Sequence, residues 1–306
     1  MINTRTSIQI MDDNGIYKII RNVADRRREK AWLAGGAVRD RFLGRKPEGE
    51  TLDLDFAVFG RVFAFGKEAA RKLGGSYFRL NERHASCRVV VKQAKRMCQL
   101  DFTAARGKTI QEDLKRRDFT ANAMAVELKR GRLDFKNPVD PLDGRSDLKS
   151  KTIRMVSPAA FKEDPLRMMR AFRLAAELEF VISSDTLGAI KRSAGKIRRV
   201  SAERVTDELF KLLKADARAV RRLDESGLLE KILPEIKKMK GVSQPGYHHL
   251  DVWGHSLEAL EKLDAHLRKI SSGKSDLSSD PAVVQWMKSH FLERTAGGRD
   301  RGALLM

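Results

Sequence analysis

Three carboxylates stand where their spacing could support metal-dependent chemistry. Asp53 and Asp55 lie two residues apart in the stretch 52–59, whose alternating pattern predicts a strand. A period of two puts both side chains on one face. Asp101 occupies a polar position in a later alternating stretch, 97–103. If these strands are neighbours, the three carboxylates converge, and they repel one another unless a divalent cation lies between them.

Oxygen ligands of this kind suit Mg²⁺, which keeps several waters and takes substrate phosphates as its remaining ligands. Two such ions can activate a 3′-hydroxyl and stabilise the leaving pyrophosphate in an in-line displacement. We therefore predict Asp53, Asp55 and Asp101 as catalytic residues, with Asp53 and Asp55 holding the metal. Two solvated acids on an exposed strand would show the same spacing.

A glycine pair upstream is the second candidate feature. Gly35 and Gly36 separate a strand-like end, Leu33-Ala34, from a short predicted helix at 38–43. A Gly-Gly turn into a helix exposes backbone N–H groups that can hold a phosphate, and Arg39 adds charge. A tight turn without a ligand has the same sequence, but a phosphate cradle followed by a metal-binding pair is typical of nucleotide transfer.

The elements that position these residues predict an α+β fold. Residues 1–155 mix strand and helix patterns, and we interpret them as a head with a mixed β-sheet. Its predicted elements include a helix at 62–73, a hairpin with strands at 88–91 and 97–103, and a helix leading into a strand at 118–128. From Ser157 onward the strand signal fades, which predicts an all-α neck and body at 156–242 and a helical segment at 243–306. The long helical patterns are 166–179, 183–191, 202–214 and 217–225.

The charge of the chain points to a polyanionic partner. Its 306 residues include 61 Lys and Arg against 41 Asp and Glu, a net charge of +20. Because few aromatic residues interleave the basic clusters after the head, duplex RNA fits these clusters better than a stacked single strand. The clusters are 191–192, 196–199, 211–214, 218–222 and 237–240.

Other classes of protein are disfavoured by the sequence. No apolar run approaches the ~20 residues of a membrane span, and residues 1–13 lack the apolar core of a signal peptide. We therefore expect a cytoplasmic protein with no membrane partner. Cys87 and Cys98 stand outside any C-x-x-C pair or histidine cluster, which predicts reduced thiols that act as small hydrophobic residues.

With GGAVRD at 35–40 followed by LDLDF at 52–56, the sequence resembles the class II tRNA nucleotidyltransferase and bacterial poly(A) polymerase family. Further segments match in the same order across about residues 30–240. They are RRDFTANAMA at 116–125, DPLDG at 140–144 with Asp147-Leu148 following, EDPLR at 163–167 continuing to Arg170 and Arg173, and SAER at 201–204.

The resemblance implies a nucleotidyltransferase-type head, Mg²⁺ as cofactor, and CTP and ATP as substrates. It further implies the 3′ end and acceptor arm of tRNA as the partner, and no DNA. The residues that it assigns to nucleotide binding are Gly35, Gly36, Arg39, Arg116, Arg117, Asp118, Asn122, Asp164, Arg167, Arg170 and Arg173.

The implied selection of nucleotide has a physical basis. Cytosine and adenine each present an exocyclic amine beside an unprotonated ring nitrogen, which Asp164 and Arg167 can match. Uracil and guanine present the reverse pattern. The resemblance implies that Glu163 orients Arg167 and that Arg170 reaches the triphosphate or ribose. The alternative is that Asp164 only caps a helix beginning at Pro165, with the arginines forming an RNA-facing ridge.

Two departures from the family pattern bear on the activity. Only 14 residues, 102–115, separate Asp101 from Arg116, whereas members that build a whole CCA end usually carry a longer flexible segment there. Addition of CC alone is therefore an expectation beside addition of CCA. A bacterial poly(A) polymerase is the nearest alternative, and an RNA-binding protein that has lost catalysis is an alternative of another class.

The second departure is a segment at 247–255 that resembles the opening of an HD-type phosphohydrolase domain. No His-Asp dipeptide follows it, so we expect a truncated and inactive domain. His248, His249 and His255 are interpreted as surface or packing residues rather than metal ligands.

Overall fold

The computed structural model describes residues 13–45, 51–92, 96–128, 133–243 and 249–272, together with a few isolated residues between 280 and 289. The chain forms two compact units. Unit 1 comprises residues 1–150 and 155–157, and unit 2 comprises residues 151–154 and 158–306.

Unit 1 is a mixed β-sheet with helices. Its elements are α1 (Asp13–Arg27), β1 (Lys30–Ala34), α2 (Gly36–Phe42), β2 (Thr51–Phe59), α3 (Val62–Leu73), β3 (Ser76–Asn81), β4 (Ser86–Lys92), β5 (Met97–Ala104), α4 (Ile110–Leu114), a 3-10 helix (Thr120–Asn122), β6 (Ala125–Glu127) and α5 (Gly144–Lys149). The strand order is β3-β4-β5-β2-β1-β6. The central pair β2–β5 is parallel and the other pairs are antiparallel.

One face of this sheet is the core of unit 1. Alternation in β2 and β5 buries Phe56 and Phe102, whose rings stack with centroids 5.2 Å apart. Phe65 of α3 lies 5.3 Å from the Phe102 ring, so α3 covers this face. The alternate positions of the same strands, which include the carboxylates, therefore lie on the opposite face.

Unit 2 is predominantly helical. Its elements are β7 (Thr152–Ile153), α6 (Ala160–Glu163), α7 (Arg167–Leu178), β8 (Val181–Ile182), α8 (Ser184–Ser193), a 3-10 helix (Ala194–Arg199), α9 (Ala202–Ala215), α10 (Ala219–Glu225), α11 (Leu229–Ile232), α12 (Ile236–Met239) and α13 (Val252–Ser271). Helix α7 packs against α9 and α10 and buries Met168 and Phe172. The Ser183 side chain accepts a hydrogen bond from the N–H of Thr186 and so caps α8.

The structure confirms the α+β class, the strand at 52–59, the helix at 62–73 and the hairpin strands. Two expectations about elements are wrong. Residues 118–128 contain a three-residue 3-10 helix and the strand β6, with no α-helix. The body is not entirely helical, because β7 and β8 form a short parallel pair.

The histidine-bearing segment at 247–255 is described only in part. His248 lies outside the described residues. His249 and His255 are exposed, His255 in the first turns of α13.

Candidate active site

The parallel pairing of β2 and β5 brings the predicted carboxylates to one face of the sheet. Asp55 lies opposite Asp101, and Asp53 lies opposite Gln99. Burial raises the pKa of the Asp53 carboxyl. The positive charge of Arg88 lowers this pKa, and the negative charge of Asp101 raises it further. The three carboxylates therefore lie on neighbouring strands and on one face of the sheet, as the sequence predicts.

Arg88 changes what the third carboxylate can do. It lies opposite Asp101 in the β4–β5 pair and donates to both oxygens, from Nε at 2.7 Å and from Nη2 at 2.8 Å. This hydrogen-bonded pair raises the pKa of the Arg88 guanidinium. Arg88 was not predicted as a site residue, because the register that places it beside Asp101 cannot be read from alternation alone.

The expected cluster of three carboxylates around a cation is therefore not formed. Within the described part of the chain, no group of three or more His, Cys, Asp or Glu side chains is arranged to hold a metal ion. Asp101 is neutralised by Arg88 and does not fit as a direct ligand. Asp53 and Asp55 on adjacent same-face positions do fit Mg²⁺, which needs only one or two carboxylates when phosphates and waters complete its shell.

The glycine turn lies directly beside these carboxylates. Gly35 precedes α2 with φ +76° and ψ −140°, a conformation that essentially only glycine adopts. A Cβ atom at this position would lie 3.2 Å from Nη1 of Arg117 and 3.2 Å from Oδ2 of Asp55. Gly35 thus permits both the turn and the close approach of a cation and a carboxylate from two other motifs.

Arg39 connects the first motif to the second. Its Nη1 donates to Oδ1 of Asn122 at 2.9 Å, while Nε and Nη2 donate to the two oxygens of Asp40 at 2.8 and 3.0 Å. Asn122 is buried and donates in turn to Oδ1 of Asp118 at 3.3 Å. Arg39 therefore fixes α2 against the 3-10 helix of the second motif.

The other basic residues of the second motif are placed differently from one another. Arg117 donates from Nε and Nη2 to Oδ2 of Asp113, both at 3.4 Å, whereas Arg116 is exposed. Asp113 is buried and also accepts the N–H of Arg106 at 2.9 Å. Asp113 was missed from the sequence, although its spacing of four residues from Arg117 was an available signal.

The predicted selecting residues lie at the start of α7 in unit 2. Nη1 of Arg167 lies 3.5 Å from Oε2 of Glu163, so the expected orienting ion pair is present. Asp164 accepts from Nη2 of Arg204 at 2.8 Å and from the N–H of Leu166 at 3.2 Å. The α-helix itself begins after Leu166, but the Asp164 side chain accepts the N–H of Leu166 in the turn that precedes it, so the expected capping contact is present beside the pairing with Arg204.

Arg170 and Arg173 follow on α7, and Arg173 is held by acids. Its Nε donates to Oε1 of the buried Glu208 on α9 at 2.6 Å, and its Nη1 donates to Glu177 at 2.7 Å. Burial opposes the charge, but Glu177 and Glu208 together raise the pKa of the Arg173 guanidinium. This placement favours a role in joining α7 to α9, and Arg170 is half-buried one turn earlier.

Comparison with known proteins agrees with this geometry. Residues 31–154 match the poly A polymerase head domain, and residues 179–240 match a domain described as the probable RNA and SrmB-binding site of polymerase A. The chain belongs to the class II tRNA nucleotidyltransferase and poly(A) polymerase family. The head-domain match contains Gly35, the paired carboxylates and Arg117.

The relatives of this family member differ in what they add. An A-adding tRNA nucleotidyltransferase of Deinococcus radiodurans is 38% identical over 240 residues, which cover 76% of this chain and 52% of the relative. A CC-adding tRNA nucleotidyltransferase of Geobacter sulfurreducens is 41% identical over 183 residues, or 60% of this chain and 40% of the relative. The chain thus spans about half the length of these relatives.

A solved structure supports the fold of the family member over most of its length. The Thermotoga maritima CCA-adding enzyme complexed with tRNA superposes with a TM-score of 0.68 at 26% identity, covering 94% of this chain and 65% of that chain.

Among the described residues, none of the helices has both the length and the apolar character that a membrane span requires.

Proposed function

We propose that the protein adds cytidines, without a nucleic-acid template, to the 3′ end of tRNA, using CTP and releasing pyrophosphate. The observation that carries this proposal is the meeting of Asp55, Arg117 and the Gly35 turn in unit 1. These residues come from three separate motifs. Asp55 is a carboxylate for a metal, Arg117 is a cation for phosphates, and Gly35 forms a turn that only glycine can adopt.

Each residue has a distinct part in the proposed reaction. Asp53 and Asp55 would hold Mg²⁺, which when bound neutralises the triphosphate and acidifies the attacking 3′-hydroxyl. Arg117 and the backbone N–H groups after Gly35 bind the triphosphate. Arg39 and Asn122 keep the two motifs together, and Arg88 holds Asp101 beside the metal ligands. The exposed Arg116 and buried Asp118 complete the proposed nucleotide-binding set.

Nucleotide choice is assigned to unit 2. Asp164 keeps acceptor capacity after its bonds from Arg204 and Leu166, because a carboxylate accepts about four hydrogen bonds. It can therefore accept from the amine of cytosine or adenine while Arg167, oriented by Glu163, donates to the ring nitrogen. Arg170 is proposed to reach the triphosphate or ribose.

The extent of addition is proposed to be CC, with CCA from CTP and ATP as the alternative. The connection between β5 and α4 comprises only residues 105–109. Its Gly107 has φ +115° and a Cβ there would lie within 2.7 Å of the Glu112 side chain, so the connection is a tight turn closed by Glu112. A connection of this length lacks the longer flexible segment that members building a whole CCA end usually carry.

Exposed cations support tRNA as the partner. Lys191, Arg192, Arg198, Arg199, Lys211 and Lys214 are exposed on the helices of unit 2. Such cations suit the phosphates of a duplex acceptor arm. A cytoplasmic location, where tRNA is processed, is part of the proposal.

The test is incorporation of labelled CTP or ATP, with Mg²⁺, into one tRNA prepared lacking CCA, CA or only A. We expect C to be added and the reaction to stop before A. Asp53→Asn should abolish incorporation and leave tRNA binding intact, whereas Asp185→Asn, an exposed acid on α8, should behave as wild type.

The alternatives give different products. ATP-only extension by many residues on any RNA would identify a poly(A) polymerase. Binding of tRNA without incorporation of either nucleotide would identify a protein that has lost catalysis. Incorporation that survives Asp53→Asn would contradict the assignment of the metal ligands.

A further inference from the structure

The face of the sheet that carries the carboxylates continues outward into an apolar surface. In the described part of unit 1, the large hydrophobic residues that are exposed are Phe78, Leu80 and Met97. Phe78 lies opposite Arg88 in the β3–β4 pair, and Arg88 lies opposite Asp101 in the β4–β5 pair. Since directly paired residues share a face, Phe78 is on the face of the carboxylates.

Met97 belongs to the same face. It alternates with Gln99 and Asp101 along β5, and it lies opposite Lys92. The register therefore gives three rows across this face. The first runs from Phe78 through Arg88 and Asp101 to Asp55, and the second contains Val90, Gln99 and Asp53. Met97, opposite Lys92, belongs to the third row, so it lies two rows along and two strands across from Phe78.

The opposite face of β3 shows why Phe78 is turned outward. Arg79 lies over the ring of Phe63 at 4.8 Å, and Lys67 lies over the ring of Tyr77 at 5.9 Å. Helix α3, which contains Phe63 and Lys67, thus covers the odd-numbered positions of β3. Phe78, between them, is left 51% exposed.

The charge on the outer part of this face suits an RNA strand. On the side that Phe78 shares, β4 presents Ser86, Arg88, Val90 and Lys92. Arg88 is paired with Asp101, and the exposed Lys92 is the cation of β4 on this side that faces solvent. Unpaired bases stack on exposed aromatic rings of β-sheets, and neighbouring cations bind the phosphates between them.

We propose that Phe78 forms a stacking platform for the unpaired nucleotides that precede the reacting 3′ end of the RNA. The proposal rests on the proposed function, which places the 3′-hydroxyl at Asp53 and Asp55. Three strand spacings of about 4.8 Å put Phe78 roughly 14 Å from Asp55. With stacked nucleotides about 3.4 Å apart, the platform contacts the base about four nucleotides upstream of the terminal one.

The experiment compares two RNA hairpins that share one stem. One is blunt and the other carries five unpaired 3′ nucleotides, and KM is measured for each RNA and for CTP. Phe78→Ala should raise KM for the overhanging RNA by roughly 5- to 100-fold, the range of base–aromatic stacking. KM for CTP and for the blunt hairpin should not change.

Matched variants separate stacking from folding. Phe78→Trp should retain wild-type KM because it retains an aromatic face, whereas Phe78→Leu should behave as Phe78→Ala. Leu233→Ala, which removes an exposed hydrophobic side chain from unit 2, should leave KM for both RNAs unchanged. A KM for overhanging RNA that is the same in Phe78→Ala and wild type would overturn the proposal.

A binding measurement distinguishes failure of the platform from failure of the proposed function. An overhanging hairpin with 2-aminopurine four nucleotides before the 3′ end reports stacking by fluorescence quenching and needs no catalysis. Quenching by wild type that is lost in Phe78→Ala supports the platform even if no nucleotide is incorporated. Equal quenching by both proteins overturns the platform even if wild type incorporates CTP.

Discussion

Replacement of Glu208 tests the structural role that its contact with Arg173 indicates. Arg173 donates from Nε to Oε1 of Glu208 at 2.6 Å, and the Glu208 side chain is only 6% exposed. Removal of one partner of a buried ion pair costs about 3–5 kcal/mol, because the other charge remains buried. Glu177 still pairs with Arg173 from the more exposed side, so we expect the lower end, about 3 kcal/mol, for Glu208→Gln.

This free energy gives a measurable shift. For a domain of 150–250 residues, each kcal/mol lowers Tm by about 2–4 °C, so Glu208→Gln should lower the Tm of unit 2 by about 6–12 °C. Glu177→Gln, which removes the more exposed contact, should cost no more than about 1 kcal/mol. Calorimetry of the whole chain measures both changes.

The double variant Arg173→Met/Glu208→Leu decides between the structural role and nucleotide binding. Because replacement of both partners of a buried pair by apolar residues is often neutral, this variant should regain most of the lost stability. If Arg173 only joins α7 to α9, KM for CTP in the refolded variant should equal that of wild type. A stable double variant with a tenfold higher KM for CTP would refute the reasoning, as would a Glu208→Gln variant with unchanged Tm.

Three further predictions concern the site and its surroundings. Gly35→Ala should lower kcat/KM by at least about tenfold, because it adds backbone strain of about 1–3 kcal/mol and a close contact with Arg117 and Asp55. Gly44 has φ +67° and open space around it, so the control Gly44→Ala adds strain only and should retain activity. Arg204→Met should raise KM for CTP by about tenfold by releasing Asp164 from a charge-assisted hydrogen bond, and equal KM values would contradict that role. Burial raises the pKa of the Cys87 thiol to about 11, so iodoacetamide at pH 8 should modify Cys87 at least about 100-fold more slowly in the native than in the unfolded chain, as peptide mass spectrometry can measure.

Those parts of the fold with a strong periodic signal could be predicted from the sequence. β2 alternates buried and exposed residues along most of its length, and α3 has a buried stripe that includes Phe65 and Ala69. Local pattern is sufficient for such elements, because each depends on only a few neighbouring residues. The resemblance assigned Arg39 and Asn122 to one nucleotide-binding set, but the hydrogen bond that joins them was not predicted.

Other features depend on tertiary context. β3 was not predicted because Phe78 and Leu80 are exposed, so the strand lacks the alternation that burial produces. The pairing of Arg88 with Asp101 depends on the register of two strands, and a shift of one residue would place Arg88 on the other face. Helix α1 was missed although Ile16 and Ile20 stand one turn apart, because the helix also contains many polar residues.

The parallel contact between β2 and β5 has a consequence for the order of folding. Asp55 and Asp101 meet at the centre of the sheet, and the chain between them contains α3, β3 and β4. Closing a loop of this length carries an entropic cost that local contacts repay only after closure, which makes such pairings slow. The carboxylate site therefore forms only when this long-range strand pair closes, and recovery of nucleotide transfer during refolding should follow, never precede, the recovery of secondary structure.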